Sequence, residues 1–249
     1  MRKGNPLTED IHFSIVIPAF NEEDRIVPTL THTVGYLADQ PYASEVIVVS
    51  DGSRDNTVAV VENYRTTAGV AVRAEAYTPN RGKGYAVKYG MTRARGRIVM
   101  FMDADYAVPI VHCEQGMDLI GQGNDIAIAS RALADSTVTA HQNRVRELSA
   151  KIYTFIQNHY LGIDFPDTQC GFKLFTRQAA RHLFDRQRLH SVIFDPEILW
   201  LAQKAGYRIA QFPVQWTHVE NSRIQYDSLR KSLFVFQELL RIKKLHSPH

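Results

Sequence analysis

The sequence predicts an α/β fold whose central sheet is mostly parallel and covered by helices on both faces. Short apolar runs alternate with longer segments of helical period through the first half of the chain. Such alternation requires right-handed crossovers between parallel strands. The 249 residues, 45% hydrophobic and 22% charged, are enough for a core without disulfide staples. No repeat, low-complexity tract or long linker breaks the pattern, so one domain is the simplest organisation.

Each element has its own signal. The first strand is the apolar run 13–18, which leads into Pro18-Ala19-Phe20-Asn21-Glu22-Glu23. A helix over 24–38 precedes the second strand, 45–50, which ends on Asp51-Gly52-Ser53. Helix 56–66, strand 70–77, helix 82–95 and strand 97–102 follow, and the last of these runs into Asp103-Ala104-Asp105. Helix 109–120 and strand 125–130 complete the alternation. Residues 131–143 lack periodicity and read as a mobile loop. Helices are expected over 144–160 and near 195–205, with strands near 207–212 and 214–217.

The last segment, 226–245, places Leu229, Leu233, Phe236 and Leu240 on one helical face, with Arg230, Lys231, Arg241, Lys243 and Lys244 largely elsewhere. It reads either as a helix packed on its own domain or as a basic amphipathic helix lying on an anionic membrane. The organisation expected is a domain over 1–225 and a C-terminal amphipathic helix over 226–249.

Several classes are disfavoured. A net charge of +3 is too small to argue for nucleic acid. Residues 1–10 are polar and carry no signal-peptide core, and no apolar run reaches the roughly 18 residues of a membrane span. A cytoplasmic protein, free or peripheral on the membrane, is therefore expected. Cys113 and Cys170 match no ligand spacing and read as isolated buried thiols. No G-x-G-x-x-G follows the first strand, which argues against a dinucleotide enzyme.

Ligands of parallel α/β sheets collect at the carboxyl ends of the strands, and here those ends are unusually polar. Asp103 and Asp105 lie just past a buried strand, where two carboxylates are costly without a compensating cation. A hard divalent ion answers that need, since Mg²⁺ takes one or two carboxylates plus substrate phosphates; the plainer alternative is that they cap the following turn. Asp51 occupies the same kind of position and is read as an acceptor for a base or ribose, or as part of a turn with Gly52. Asn80-Arg81-Gly82-Lys83-Gly84 resembles a phosphate cradle but lacks the spacing of a P-loop.

As an ordered set, Pro18-Ala19-Phe20-Asn21-Glu22, Ser50-Asp51-Gly52-Ser53, Arg81-Gly82-Lys83-Gly84 and Asp103-Ala104-Asp105 resemble glycosyltransferase family 2, which has the GT-A fold. The second half adds Ser130-Arg131, Asp167-Thr168-Gln169-Cys170-Gly171-Phe172-Lys173, Phe194-Asp195-Pro196-Glu197 and Trp216-Thr217-His218. These are similar to motifs of the dolichyl-phosphate glucosyltransferases and, more loosely, of the dolichyl-phosphate mannose synthases. The likeness spans about residues 12–224; Ser50 departs from it, standing where many members have an Asp.

The resemblance implies an inverting transfer of a hexose, glucose from UDP-glucose or mannose from GDP-mannose, to a polyprenyl phosphate or a soluble acceptor. It implies that Pro18, Ala19, Glu22, Asp51, Lys83, Ala104, Gln169 and His218 bind the donor, and that Asp103 and Asp105 hold Mg²⁺ or Mn²⁺. Arg131, with Arg144 or Arg146 and Ser149, would bind the acceptor phosphate. His218, Ser222 and Arg223 would close over the diphosphate, or else form a plain surface strand and turn. Asp195 and Glu197, two apart, cannot both face the site from a regular helix, and Asp195 is read as the inward one, orienting sugar hydroxyls or an arginine. A sugar nucleotidyltransferase and a non-catalytic sugar-nucleotide-binding protein are the rival classes.

Overall fold

The computed structural model describes residues 11–64, 70–139, 144–218 and 229–247, with the side chains of 144–148, 150 and 229–232 outside that description. In chain order the elements are β1 (Phe13–Ala19), α1 (Ile26–Ala38), β2 (Ser44–Asp51), α2 (Thr57–Glu62), β3 (Ala71–Tyr77), α3 (Lys83–Met91) and β4 (Ile98–Met102). A 3₁₀ turn (Ile110–His112) opens onto α4 (Cys113–Gly121), then β5 (Ile126–Ser130), β6 (Thr137–Val138) and α5 (Arg144–Leu161). The chain continues through β7 (Phe172–Thr176), α6 (Arg177–Arg186), α7 (Phe194–Lys204), β8 (Ile209–Pro213), β9 (Gln215–Trp216) and α8 (Leu229–Leu245).

The main sheet has seven strands in the order β3-β2-β1-β4-β7-β5-β8. Every pairing is parallel except those of β7, which is antiparallel to both β4 and β5. β1, β2, β4 and β5 are buried on both sides, which is why they read as nearly unbroken apolar runs. Alternate residues feed two cores. Val16, Ile47, Val49, Phe101 and Ile128 pack under α3, α6, α7 and α8, whereas Ile15, Ile17, Val48, Met100 and Leu174 pack under α1 and α4. Phe101 is central to the first of these, with three Phe rings around it; truncating a buried Phe to Ala costs roughly 3–5 kcal/mol.

Three elements depart from the sequence reading. The sequence reading assigns no strand to 167–175, yet β7 begins at Phe172; its second residue, Lys173, interrupts the apolar run and is itself buried. The sequence reading assigns no helix to 177–186, but α6 begins there, directly on β7, because Thr176 ends the strand and also caps the helix by accepting a hydrogen bond from the Ala179 amide. The segment read as a mobile loop contains β6, paired in parallel with β9, while 140–143 lie outside the described residues. No disulfide forms: Cys113 and Cys170 are both free and buried. No helix among the described residues is long and apolar enough to cross a membrane.

Candidate functional site

Because the parallel strands point one way, the ends of β1, β2, β4 and β5 meet along a single edge of the sheet. Reversed β7 brings its beginning to this edge, so residues 167–171 join the site from a strand that opposes all the others. The Asp103 amide donates to the Gly171 carbonyl at 3.0 Å, which locks the end of β4 to the start of β7. A side chain on residue 171 would collide with the Asp103 carboxylate, so glycine is required there by close approach.

Asp103 and Asp105 are both half-buried. Asp103 Oδ1 lies 2.6 Å from Lys83 Nζ, and 34% of the Asp103 side chain is open to solvent. Asp105 accepts a hydrogen bond from the Ala107 amide. Burial, and after it the charge of Asp103, push the Asp105 carboxyl above the usual carboxylate range. Burial alone would depress the Lys83 ammonium, but Asp103, Asp195 and Asp105 around it outweigh that and hold it above the ordinary lysine value. Among the described residues no group of three His, Cys, Asp or Glu could hold a metal. The two carboxylates are offset only by Lys83, and their chemistry fits a divalent ion of the kind that takes one or two carboxylates plus phosphate oxygens.

Beneath this pair sits an ion pair that the sequence does not announce. Lys173 Nζ, with 1% of its side chain exposed, lies 2.5 Å from Asp195 Oδ1 and donates to the Cys170 carbonyl at 2.6 Å. Burial raises the Asp195 pKa, with Lys173 and then Lys83 opposing the shift. Asp195 thus sits in the first turn of α7 and meets a lysine, Lys173, where the sequence reading offers it sugar hydroxyls or an arginine. Glu197 is equally buried but turns away, accepting from the amides of Arg188 and Leu189 and from His246 Nε2.

Arg131, one residue past β5, grips Asp167 fork on fork at 2.7 and 2.8 Å, and its own amide donates to the same carboxylate at 3.0 Å. Burial opposes the ionised form of Asp167, but Arg131 prevails and holds the carboxyl below its usual range. Two of the five guanidinium N–H groups are committed in this way. The sequence reading offers no partner for Arg131. Arg144 and Arg146 lie in the opening turn of α5, their side chains outside the described residues, and Ser149 is exposed on the same helix.

The sequence reading offers the Asp51 carboxylate to a base or ribose. In the structure it is already filled by protein donors: Tyr77 Oη and the Arg81 amide on Oδ1, and Asn80 Nδ2 and the Gly82 amide on Oδ2. Four bonds saturate the two oxygens. Asp51 therefore pins the loop that precedes α3 and presents Lys83. Gly82, at φ 101, is needed in that loop because a Cβ would overlap the His190 carbonyl.

The other residues assigned to the donor line the same edge. Pro18 and Ala19 end β1. Glu22 pairs with Arg25 and donates its amide to Thr57, and the Ala104 carbonyl accepts from Thr29. The Gln169 amide donates to Asp167. Asn21, at φ 54, accepts from the Arg54 amide, tying the β1 and β2 loops together. His218 is exposed beside Trp216, and the Thr217 amide donates to Ala107, which brings β9 to the Asp105 turn. Ser222 and Arg223 lie outside the described residues.

A parallel sheet with a nucleotide-type loop edge, a strand-end acidic pair and one reversed strand entering the site is the GT-A glycosyltransferase architecture. A family model described as "Glycosyl transferase family 2" matches residues 14–184, and the chain belongs to that family. It is 34% identical over 252 residues to the dolichyl-phosphate beta-glucosyltransferase of Dictyostelium discoideum, with 96% of this chain and 76% of that one covered. The human dolichyl-phosphate beta-glucosyltransferase is 36% identical over 223 residues, with 85% and 69% covered. Glucosyl-3-phosphoglycerate synthase from Mycobacterium tuberculosis, solved with Mn²⁺, UDP-glucose and phosphoglyceric acid, superposes with a TM-score of 0.63 at 20% identity. That alignment covers 96% of this chain and 81% of the synthase, and the likeness is one of fold.

Proposed function

We propose that this glycosyltransferase moves glucose from UDP-glucose to a dolichyl-type polyprenyl phosphate, with inversion, giving a β-linked lipid phosphate sugar. The observation that carries the reading is the placement of Asp103 and Asp105 just past β4 and of Arg131 just past β5 along one edge of the sheet, in a chain similar along most of its length to dolichyl-phosphate beta-glucosyltransferases.

The acceptor phosphate has a second pKa of about 6 and is already a dianion at neutral pH, so no general base is needed. The difficulty is to hold that dianion against an anionic diphosphate. Arg131, fixed by Asp167, offers its remaining N–H groups to the acceptor phosphate, with Arg144 or Arg146 and Ser149 on α5 as further donors. Asp195, fixed by Lys173, orients the sugar hydroxyls. Pro18, Ala19, Glu22, Ala104, Gln169 and His218 frame the nucleotide, and Asp51 acts on it through the loop that bears Lys83. Mg²⁺ or Mn²⁺ held by Asp103 and Asp105 would neutralise charge on the leaving diphosphate.

An exposed apolar face with basic residues beside it supports a lipid acceptor. Val235, Leu239 and Ile242 pack α8 into the core beside α7, yet Leu233, Phe234 and Leu240 project outward from the same helix. Tyr153 meets Phe236, and Tyr160 donates to the Leu240 carbonyl, so α5 lies alongside and adds exposed Ile152, Phe155 and Ile156. With Lys151, Arg241, Lys243 and Lys244 also exposed, this surface suits an anionic bilayer at the cytoplasmic face. The segment 226–249 is thus proposed to serve as core and as anchor together.

The test is to incubate the protein with labelled UDP-glucose or GDP-mannose, each with a polyprenyl phosphate, and to extract the lipid. Label should enter the lipid from UDP-glucose alone. Label arriving from GDP-mannose instead overturns the sugar assignment, and diphosphate release from a nucleoside triphosphate would mark a nucleotidyltransferase.

A further inference from the structure

Lys83 and Asp103 are held together by their surroundings and not by chance contact. Lys83 opens α3 immediately after the loop that Asp51 pins through four hydrogen bonds, so its stem starts from a fixed point. Asp103 is fixed from the other side by its amide bond to Gly171. The two meet at 2.6 Å with 18% of the lysine side chain and 34% of the aspartate side chain exposed, at the surface of the site and not beneath it. The deeper carboxylate, Asp195, has its own cation in Lys173. Each of these two carboxylates thus has one lysine, and only the Asp103 pair lies where a ligand can reach it.

We propose that Lys83 is the resident counter-cation of Asp103, that a divalent ion must displace it to be bound, and that the nucleotide's diphosphate draws the ammonium away, so that metal and nucleotide bind cooperatively through this one side chain. The inference rests on the reading of Asp103 as a metal ligand. Its physics is direct. An ammonium 2.6 Å from Oδ1 occupies the direction from which a cation would approach that oxygen, and it repels a second cation as well. A lysine is a flexible point charge with three donors, able to swing from a carboxylate to a phosphate without moving the backbone. The diphosphate presents the stronger anion, so the exchange is favourable only when nucleotide and metal arrive together. The consequence is a site that binds free metal weakly and bare nucleotide weakly, and the linkage is reciprocal.

Mn²⁺ binding to the full chain, followed by its electron paramagnetic resonance signal with and without UDP, tests this without turnover. In the wild type, Mn²⁺ should bind weakly alone and much more tightly with UDP. Lys83→Met should bind Mn²⁺ alone about tenfold more tightly than wild type, the scale of one partly exposed ion pair and one charge repulsion removed. The gain conferred by UDP should shrink by about the same factor. Lys83→Gln repeats the test should the methionine variant not fold, and Lys83→Arg, which keeps a cation there, should retain weak binding of the free ion. If neither neutral variant, folded by circular dichroism, binds free Mn²⁺ more tightly than wild type, the counter-cation inference is overturned. If Asp103→Asn binds Mn²⁺ as well as wild type in the presence of UDP, the metal reading has failed first and carries the inference down with it.

Discussion

Gly171→Ala is a one-methyl test of the acidic site. A Cβ built on Gly171 lies within 2.5 Å of Asp103 Oδ1 and closer still to Oδ2 and Cγ. Ordinary carbon–oxygen contact needs more than about 3 Å, so the carboxylate must retreat by roughly 1 Å or rotate away. Gly171 does not have a positive φ, and alanine therefore adds no backbone strain. The group that must move is the partly exposed end of a short side chain, not packed core. The cost should accordingly fall on function and not on folding. A misplacement of about 1 Å of a group aligned with the reacting centre costs on the order of 100-fold in rate. We expect kcat/KM for glucosyl transfer to drop by that factor while unfolding free energy changes by less than about 1 kcal/mol. Steady-state transfer assays beside urea unfolding decide the matter. Activity within about threefold of wild type would show that Asp103 need not sit where it does. Equal collapse of stability and activity would show that the β4–β7 junction is structural.

Lys173→Met should destabilise the protein by roughly 3–5 kcal/mol by leaving Asp195 buried without its cation, and adding Asp195→Asn should restore much of the loss; a double-mutant cycle by urea unfolding that proves additive would dissolve the pair. Asp167 has its folded pKa lowered by Arg131, so its stabilising contribution is complete above the ordinary carboxylate pKa of about 4 and is lost as pH falls through the lower folded value. Between pH about 5 and 3 the melting temperature of Asp167→Asn should therefore fall less steeply than that of wild type, and parallel curves would remove the Arg131–Asp167 pair from the acid response. Phe155→Asp and Leu240→Asp, at positions 73% and 57% exposed, should each weaken binding to anionic liposomes tenfold or more with little change in melting temperature. Liposome binding unchanged in both variants would confine the membrane reading to other surfaces.

The parallel strands β1, β2, β4 and β5 are legible in the sequence because they are buried on both faces and therefore written as apolar runs, and because each run ends on a polar turn. Those turns put Asp51, Asp103 and Arg131 at strand ends. The partners of these residues are not legible. Asp167 lies 36 residues from Arg131, and Asn80 and Tyr77 lie 29 and 26 from Asp51, and no local period records such distances. Asp51 is the example: a strand-end carboxylate identifies the ligand-binding edge, but the loop donors it accepts from cannot be read off the strand that carries it.

The unread strand makes the same point in reverse. Phe172-Lys173-Leu174-Phe175 carries no strand assignment from the sequence, and the lysine that interrupts the run finds its partner only in Asp195, 22 residues further on. A charge with 1% of its side chain exposed within a β-strand is tolerated only with a partner, and here the partner is the carboxylate proposed to orient the sugar. The hydrophobic code therefore fails at β7 for the reason that makes β7 matter. It is the strand that reverses direction, delivers Gly171 to Asp103 and carries Lys173 to Asp195. The positions where local pattern and global fold disagree are those where the sequence is answering to chemistry instead of to packing. A buried lysine within an otherwise apolar run is thus evidence for a site, provided a distant acid can be found to meet it.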